Sequence, residues 1–508
     1  MARAPAARRL GYTGLNLKDE VTSVMATDSL TSRTPGLRRA LRTSDLVLLY
    51  VAAIIGLRWL STAAQLGPSS LTLWAISCLV FFVPCGLAVQ ELSSRIPHEG
   101  GLFLWTTAAF GETHGFLAGW AYWLQNLVFF PSLLLFVSGV VLHIGGHSLL
   151  RLADDPLYNG VFCLIMLWAV TILNIFGLER AKWLQNVGGI ATIAVGLLVL
   201  IGGAIAGWRY GTASQFSTAS LTPDLSSPLA LNTFALLLLA YMGLELGPIM
   251  GDEIQDSARS VRRATLIAGV VIAFTYIVGT GALLVALPSG QISAISGIPQ
   301  AMEAIGQRGG IPLFGVVSAV LLTLSAAGGL GAWVTGAARL PFVMGLGHYL
   351  PERLGAIHPK YNSPHVALLV QAVAVSLVLL AAISGSTVHE AFQLLNDMTA
   401  ALNCAVWVYI FASLLVLRSR AAGQNDGVAL IPGGFVVCAV VAVVGASVSA
   451  FATVVAMIPP TGAANPALFL IKGIGGCALI FAVGVVLCGA ARRRMRKHVP
   501  AGRGSGLP

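Results

Sequence analysis

Two stretches of this 508-residue chain set an ionisable side chain among residues that are otherwise almost wholly apolar. The first reads Tyr50-Val-Ala-Ala-Ile-Ile-Gly56-Leu-Arg58-Trp59-Leu-Ser61-Thr62. The second reads Leu239-Ala-Tyr241-Met-Gly243-Leu-Glu245-Leu-Gly247-Pro248. The arginine fork matches the geometry of a carboxylate, and a carboxylate in such surroundings holds a cation or hands on a proton. Glycine and proline beside them interrupt a helix. A broken helix presents amides from one half and carbonyls from the other, so it recognises both poles of a small dipolar molecule.

The elements that position these residues follow from composition. The chain is 56% hydrophobic and 10% charged, against about 25% charged in a soluble domain. One helical crossing of a bilayer needs roughly 20 mostly apolar residues. Such stretches fall near 45–66, 69–94, 114–144, 157–177, 183–207, 229–252, 262–288, 311–345, 364–384, 389–417, 429–458 and 466–491. Backbone amides must be satisfied within each segment in lipid, which demands helices. The runs are too long and too continuously apolar for barrel strands. The fold class is therefore an all-α polytopic membrane protein with about 12 transmembrane helices.

The formal charge of +10 is distributed as a topology signal rather than as a nucleic-acid footprint. With the N-terminus inside, the inner segments carry Arg33, Arg38, Arg39, Arg42, Arg95, Arg180, Lys182, Arg259, Arg262, Arg263, Arg353, Lys360, Arg418, Arg420 and the Arg492–Lys497 cluster, whereas the outer loops carry Arg151, Arg209 and Arg308. The positive-inside rule then puts both termini in the cytoplasm of a cell-membrane protein. The first forty residues are basic and polar with no apolar core before Leu46, so no cleavable signal peptide is expected. The chain divides into a cytoplasmic tail (1–43), a core of ten spans (44–418), two accessory spans (419–491) and a basic cytoplasmic tail (492–508). The seven cysteines (Cys78, Cys85, Cys163, Cys404, Cys438, Cys477 and Cys488) lie in or beside apolar runs without a C-x-x-C pair. They read as small buried hydrophobes, with neither a disulfide framework nor a metal site expected.

The two interruptions lie in the first and sixth spans. An odd count separates them, so the two halves start with opposite orientation. Gly/Pro-interrupted helices in corresponding positions of two halves point to an inverted-repeat transporter site. A lone glycine in a membrane helix is usually a packing residue. Two breaks in register, each with an ionisable residue, argue for a site.

Other segments carry a family resemblance. Glu91-Leu-Ser-Ser-Arg95-Ile-Pro97-His-Glu99-Gly100-Gly101-Leu-Phe-Leu-Trp105, followed by Ala109-Phe110-Gly111, resembles the E-x-x-x-x-x-P-x-x-G-G-x-x-x-W element of the amino acid–polyamine–organocation superfamily of permeases. Tyr241-Met-Gly243-Leu-Glu245, then Asp252-Glu253-Ile-Gln-Asp256 and Arg262-Arg263-Ala264, is similar to that family's sixth span and its acidic-then-basic exit. Ala332-Trp333-Val-Thr-Gly336-Ala-Ala-Arg339, Leu350-Pro351 and Pro359-Lys-Tyr-Asn-Ser-Pro364 form a third match. Leu124-Gln125 with Phe129-Phe130-Pro131, and Ile431-Pro432-Gly433-Gly434, resemble bacterial glutamate/γ-aminobutyrate antiporters most. The resemblance implies a five-plus-five inverted-repeat core with discontinuous helices 1 and 6, two further helices, and a secondary transporter of amino acids. It implies alternating access around a site formed by spans 1, 3, 6, 8 and 10.

The substrate-binding candidates are Ile55, Gly56, Leu57, Arg58, Phe130, Tyr241, Gly243 and Trp333, with Phe129 beside them. Where the family has a small G-S-G-like stretch, this chain has Gly56, Leu57 and Arg58. A charge at mid-bilayer costs at least ~2.5 kcal/mol, so Arg58 must face the bundle interior. Three roles stay open for it: binding a substrate carboxylate, standing in for a sodium ion, or pairing with Glu245 or Asp397. Trp333 matches a family tryptophan at the substrate site and suits an ammonium by cation–π attraction. Glu245 corresponds to a family carboxylate on the coupling path, and the coupling and gating candidates are Glu245, Arg58 and Asp397. Gln125 and Asn126 read as helix-bridging amides. Thr323 and Ser325 offer hydroxyls for sodium, against which Arg58 would compete. The expected partners are a small-molecule amino acid or amine and the lipid bilayer, with no nucleic acid. No cofactor or metal is expected, and proton coupling is favoured over sodium. The chain shows no Walker loop, no H-E-x-x-H and no G-x-S-x-G, so an enzyme is not expected. An amine permease of the same fold and a non-transporting amino acid sensor remain as alternatives.

Overall fold

The computed structural model describes residues 39–311, 313–384, 387–421, 431–458 and 466–498. The expected N-terminal tail up to residue 38, and the end of the basic C-terminal tail beyond residue 498, lie outside the described residues. Among the described residues ten helices are long and apolar enough to cross a bilayer. An eleventh crossing is the bent pair Thr43–Ile54 and Arg58–Ala64, which turns by 41° at its break. The twelfth apolar segment is the 13-residue helix Pro228–Ala240, followed after residues 241–245 by the single turn Leu246–Ile249. It is short because Gly243, Gly247 and Pro248 stop the helix in mid-run. Numbered in chain order, span 1 is the bent pair and span 6 is the segment 228–249. Spans 2 to 5 are Ser69–Arg95, Glu112–Ile144, Pro156–Ile175 and Leu178–Tyr210. Spans 7 to 9 are Ser257–Ala286, Phe314–Leu346 and His365–Ile383. Spans 10 to 12 are Val388–Arg420, Gly434–Val455 and Pro466–His498. The protein is a multi-pass, all-α membrane protein.

Small residues bring the inner helices together. A methyl on Gly188 of span 5 would lie 2.5 Å from the Gly328 Cα of span 8, so these two backbones touch, as glycine allows in membrane interiors. A methyl on Gly189 would lie 2.7 Å from the Leu48 carbonyl oxygen, and one on Gly329 2.5 Å from that of Ala52. The first half of span 1 is thus wedged between spans 5 and 8, and its broken end is fixed there. Lipid-side positions are apolar and exposed, for example Leu79, Val270, Val436 and Val486.

The arginine-rich end of the bundle is tied by charge. Glu91 of span 2 is fully buried and accepts from Arg95 at 2.8 Å, from Arg418 of span 10 at 2.8 Å and from the Ile431 amide at 2.9 Å. The glutamate of the family-like element therefore joins spans 2 and 10 to the segment entering span 11. Two glycines of the same element, Gly100 (φ +102°) and Gly101 (φ +38°), turn the chain so that the Gly100 amide reaches the Ile249 carbonyl at 2.9 Å. Beyond span 6, Glu253 takes a forked pair of bonds from Arg339 at 2.9 and 3.0 Å. Leu41, just before span 1, exchanges backbone bonds with Glu253 and Gln255. Spans 1, 6 and 8 are thereby latched at one end.

Candidate functional site

The two breaks meet inside the bundle. At the first, Ile55 (φ −70°, ψ 78°) makes an inverse γ-turn that closes Gly56 N–H onto the Ile54 carbonyl at 2.6 Å. At the second, Gly243 holds φ +130°, which a residue with a Cβ rarely adopts. A methyl there would also lie 2.7 Å from Ile54 and 3.2 Å from the Trp333 ring. Each stopped half-helix leaves carbonyls that need donors. Side chains from neighbouring spans supply them. Trp333 of span 8 donates to the Ala53 carbonyl at 2.8 Å, and Tyr50 donates to the Leu244 carbonyl at 2.9 Å. The Tyr276 hydroxyl of span 7 meets the carbonyls of Ile54 and Ala240 and accepts from Gly56 N–H.

Glu245 is fully buried, and each of its carboxylate oxygens accepts a hydrogen bond. One carboxylate oxygen accepts from Tyr122 of span 3 at 2.9 Å. The other accepts from Gly243 N–H at 3.0 Å, so this side chain caps its own unwound segment. It forms no ion pair with Arg58, and neither does Asp397, which is buried with no hydrogen bond or ion pair among the described residues. The structural pairing expected as one role of Arg58 is therefore absent. The Arg58 guanidinium lies instead against the rings of Trp59 and of Phe129 in span 3.

Two small cavities lie beside the break and share Ala53, Trp59, Phe129 and Trp333 as walls. The first, about 30 Å³, is further lined by Ile55, Gly56, Leu57, Arg58 and Ser325 among others. The second, about 20 Å³, adds Gln125, Met242, Thr399 and Asn403. Each has room for a water or two, less than an amino acid needs. The Arg58 guanidinium lies 4.4 Å from the Trp59 ring centre and 5.1 Å from that of Phe129. None of its three side-chain nitrogens has a hydrogen-bond partner among the described residues, although only 1% of the residue is exposed. Both ends of the Gln125 amide and the Asn403 oxygen are likewise buried and unpartnered. Buried polar groups are normally satisfied. Arg58, Gln125 and Asn403 thus line the two cavities with buried polar atoms that have no partner among the described residues.

A model of the amino acid permease family matches residues 41–483. The chain belongs to the amino acid permease family. Relatives of this permease include an uncharacterised transporter of Legionella pneumophila, 28% identical over 87% of this chain and 95% of that one. A glutamate/γ-aminobutyrate antiporter of Lactococcus lactis is 23% identical over 76% of this chain and 77% of its own. A probable agmatine/putrescine antiporter of the same organism is 24% identical over 54% of this chain and 57% of its own. The family and these relatives are transporters by description, and the permease is an amino acid transporter of the membrane.

The permease brings Ile55, Gly56, Leu57, Arg58 and Trp333 to one cavity wall. Gly243 packs behind Trp333 as the tight crossing point with span 1. Phe130 and Tyr241 line neither cavity. Phe130 faces the core next to its neighbour Phe129, which takes the cavity position instead. The span 3 face is Gln125, Phe129, Leu133 and Phe136, at helical spacing, and Phe130 is one residue off that face. Tyr241 turns to Phe82, Trp74 and Tyr276 in spans 2 and 7. Ser325 meets Thr192 of span 5, and Thr323 bonds its own helix at the Ala319 carbonyl. Asn126 donates to the Tyr122 carbonyl within span 3 rather than bridging helices. Sequence reasoning missed Thr399 and Asn403. Their i, i+4 spacing puts two polar residues on one face of span 10, and that signal was available.

Proposed function

We propose that this permease moves a carboxylate-bearing amino acid by alternating access at the paired breaks, coupled to protons. Arg58 carries the reading. A buried cation without an acceptor is costly to keep, and a substrate carboxylate supplies the missing partner through a two-pronged bond. The Trp333 and Phe129 faces suit the ammonium. Gln125 and Asn403 offer neutral hydrogen-bonding groups to the side chain. Glu245, placed between Tyr122 and the span 6 break, is the group proposed to exchange the proton. Asp397 is a second carboxylate available for gating. Spans 1 and 6 move against spans 3, 8 and 10 to open either end, and the arginine-rich end with both termini faces the cytoplasm, in keeping with the positive-inside pattern.

Transport of a diamine on its own is less well supported. Neither cavity is lined by a carboxylate, while Arg58 stands in one of them. The test is uptake and exchange by the purified protein in proteoliposomes across a panel of acidic, neutral and basic amino acids, γ-aminobutyrate, agmatine and putrescine. An imposed proton gradient, acid outside, should raise accumulation of carboxylate-bearing members. Equal transport of putrescine would overturn the Arg58 reading. Saturable binding with no flux under any gradient would make the protein a sensor.

A further inference from the structure

A cavity of about 230 Å³ lies away from the breaks, at the arginine-rich end of the bundle. Its walls come from four segments far apart in the chain. Ala40 precedes span 1, Gly177 and Arg180 stand where span 4 gives way to span 5, Glu253 follows span 6, and Lys360 and Tyr361 lie between spans 8 and 9. The loops are fixed against each other. A methyl on Gly177 (φ +99°) would stand 2.7 Å from the Tyr361 carbonyl oxygen. Ser363 donates to the Ile175 carbonyl at 2.6 Å, and the His358 ring accepts from the Lys360 and Tyr361 amides at 3.2 and 3.3 Å.

These loops hold two cations at one opening. The Arg180 guanidinium lies 5.8 Å from the centre of the Tyr361 ring and the Lys360 ammonium 5.4 Å, both within reach of a cation–π contact. Neither forms an ion pair among the described residues. The acids on the wall do not answer them. Glu253 is forked to Arg339, and Glu179 has a contact of its own. A guanidinium takes two oxygens of an oxyanion and an ammonium takes a third. A phosphate group offers three such oxygens and more charge than a carboxylate. The cavity leaves room for the ester behind it.

We propose that this cavity binds the phosphate group of an organic ester, and that binding holds this end of the permease closed. Closure follows from which segments form the walls. Ala40 leads into span 1 and Glu253 leaves span 6, while the facing wall belongs to span 5 and to the loop between spans 8 and 9. Lys182 of span 5 already joins the two sides, donating to the Ala40 carbonyl at 3.2 Å and standing 3.7 Å from Asp45 of span 1. A ligand that bridges the walls favours the closed end and shifts the population toward it. The positive-inside pattern sets this end at the cytoplasmic leaflet, where the phosphate comes from a lipid headgroup or from a soluble ester. Closure rests on reading spans 1 and 6 as the moving helices; binding does not.

The experiment uses the full-length protein. Thermal unfolding is measured in detergent against glycerol 3-phosphate, with sodium sulfate at equal ionic strength as control, and in phosphatidylcholine nanodiscs with and without phosphatidic acid. The wild type should gain a few degrees, saturably, from one of the two phosphate sources. Glycerol 3-phosphate would mark a soluble ester, and phosphatidic acid alone a lipid headgroup. The double variant Arg180→Gln, Lys360→Gln should unfold at the wild-type temperature without ligand and lose the gain; if it does not fold, Lys360→Gln alone should shrink the gain. The double variant Arg262→Gln, Arg263→Gln removes the same charge at the same end and should keep the gain. Amide hydrogen exchange at peptides spanning 40–46 and 250–258 should slow when the ligand binds. No gain from either source would overturn the proposal, as would a gain matched by sulfate, one that survives the loss of Arg180 and Lys360, or one lost equally without Arg262 and Arg263. A gain with unchanged exchange at both peptides would refute closure. None of these measurements needs a transported substrate, so a chain that transports nothing would sink the transport reading and leave the binding result standing.

Discussion

Replacing Arg58 separates its binding role from a structural one, because the two predict opposite changes in stability. Arg58 is buried with three unpartnered nitrogens and two aromatic rings against its guanidinium. Burying an ion costs several kcal/mol. Two desolvated cation–π contacts return about 1–4 kcal/mol together. Arg58→Met, of similar length and without charge, therefore leaves the substrate-free protein at least as stable as the wild type, or more stable by a few kcal/mol. The same change removes both prongs of the carboxylate contact. Each charge-assisted bond contributes about 1.5–3 kcal/mol, so affinity falls by about 10²–10⁴-fold. Arg58→Lys keeps the charge and loses the fork, for a loss of about 10–100-fold. Thermal unfolding in detergent and uptake in proteoliposomes are the two assays. If Arg58→Met unfolds several degrees below the wild type, the guanidinium has a structural partner and the reasoning fails. It also fails if carboxylate substrates are transported with an unchanged KM.

Two further outcomes follow from the same coordinates. Gly243→Ala sets a methyl 2.7 Å from Ile54 at φ +130°, so it should cost about 1–3 kcal/mol of strain at the crossing and slow uptake more than it lowers membrane expression; normal uptake would show that span 6 tolerates a shift there. Glu99, in the loop after span 2, has its carboxyl pKa held well above the usual range by burial and the neighbouring Glu253, with Arg339 opposing. The folded state therefore keeps a proton that the unfolded state releases, and this contribution is present below about pH 4.5 and lost as pH rises through the raised pKa. Glu99→Gln should flatten that decline in unfolding scans as pH rises above about 4.5, and an unchanged slope would assign the decline to other groups.

The parts of this molecule legible in the sequence are those where lipid leaves one solution. Apolar runs must be helices, and a run containing Gly243, Gly247, Pro248 and Glu245 cannot be a plain one, so the span 6 break and its partner at Gly56 could be placed from composition and spacing. Partners across the bundle could not, since which side chain meets which depends on helix rotation. Phe129 and Phe130 are equivalent as letters, and only the face shared with Gln125 separates them. Arg58 needed a partner on any physical account, and two carboxylates were at hand in the sequence. The structure gives Glu245 to Tyr122 and to its own backbone, and leaves Arg58 between two rings. That division has a mechanical consequence. A guanidinium already neutralised by Glu245 would lock spans 1 and 6 to each other and leave a carboxylate substrate no charge to answer. With Glu245 bonded to Tyr122 and to its own backbone, the proposed substrate carboxylate would displace only weaker aromatic contacts of Arg58. On the reading proposed above, the break in span 1 keeps its cation clear of both carboxylates, as a site that must bind and release on every cycle requires.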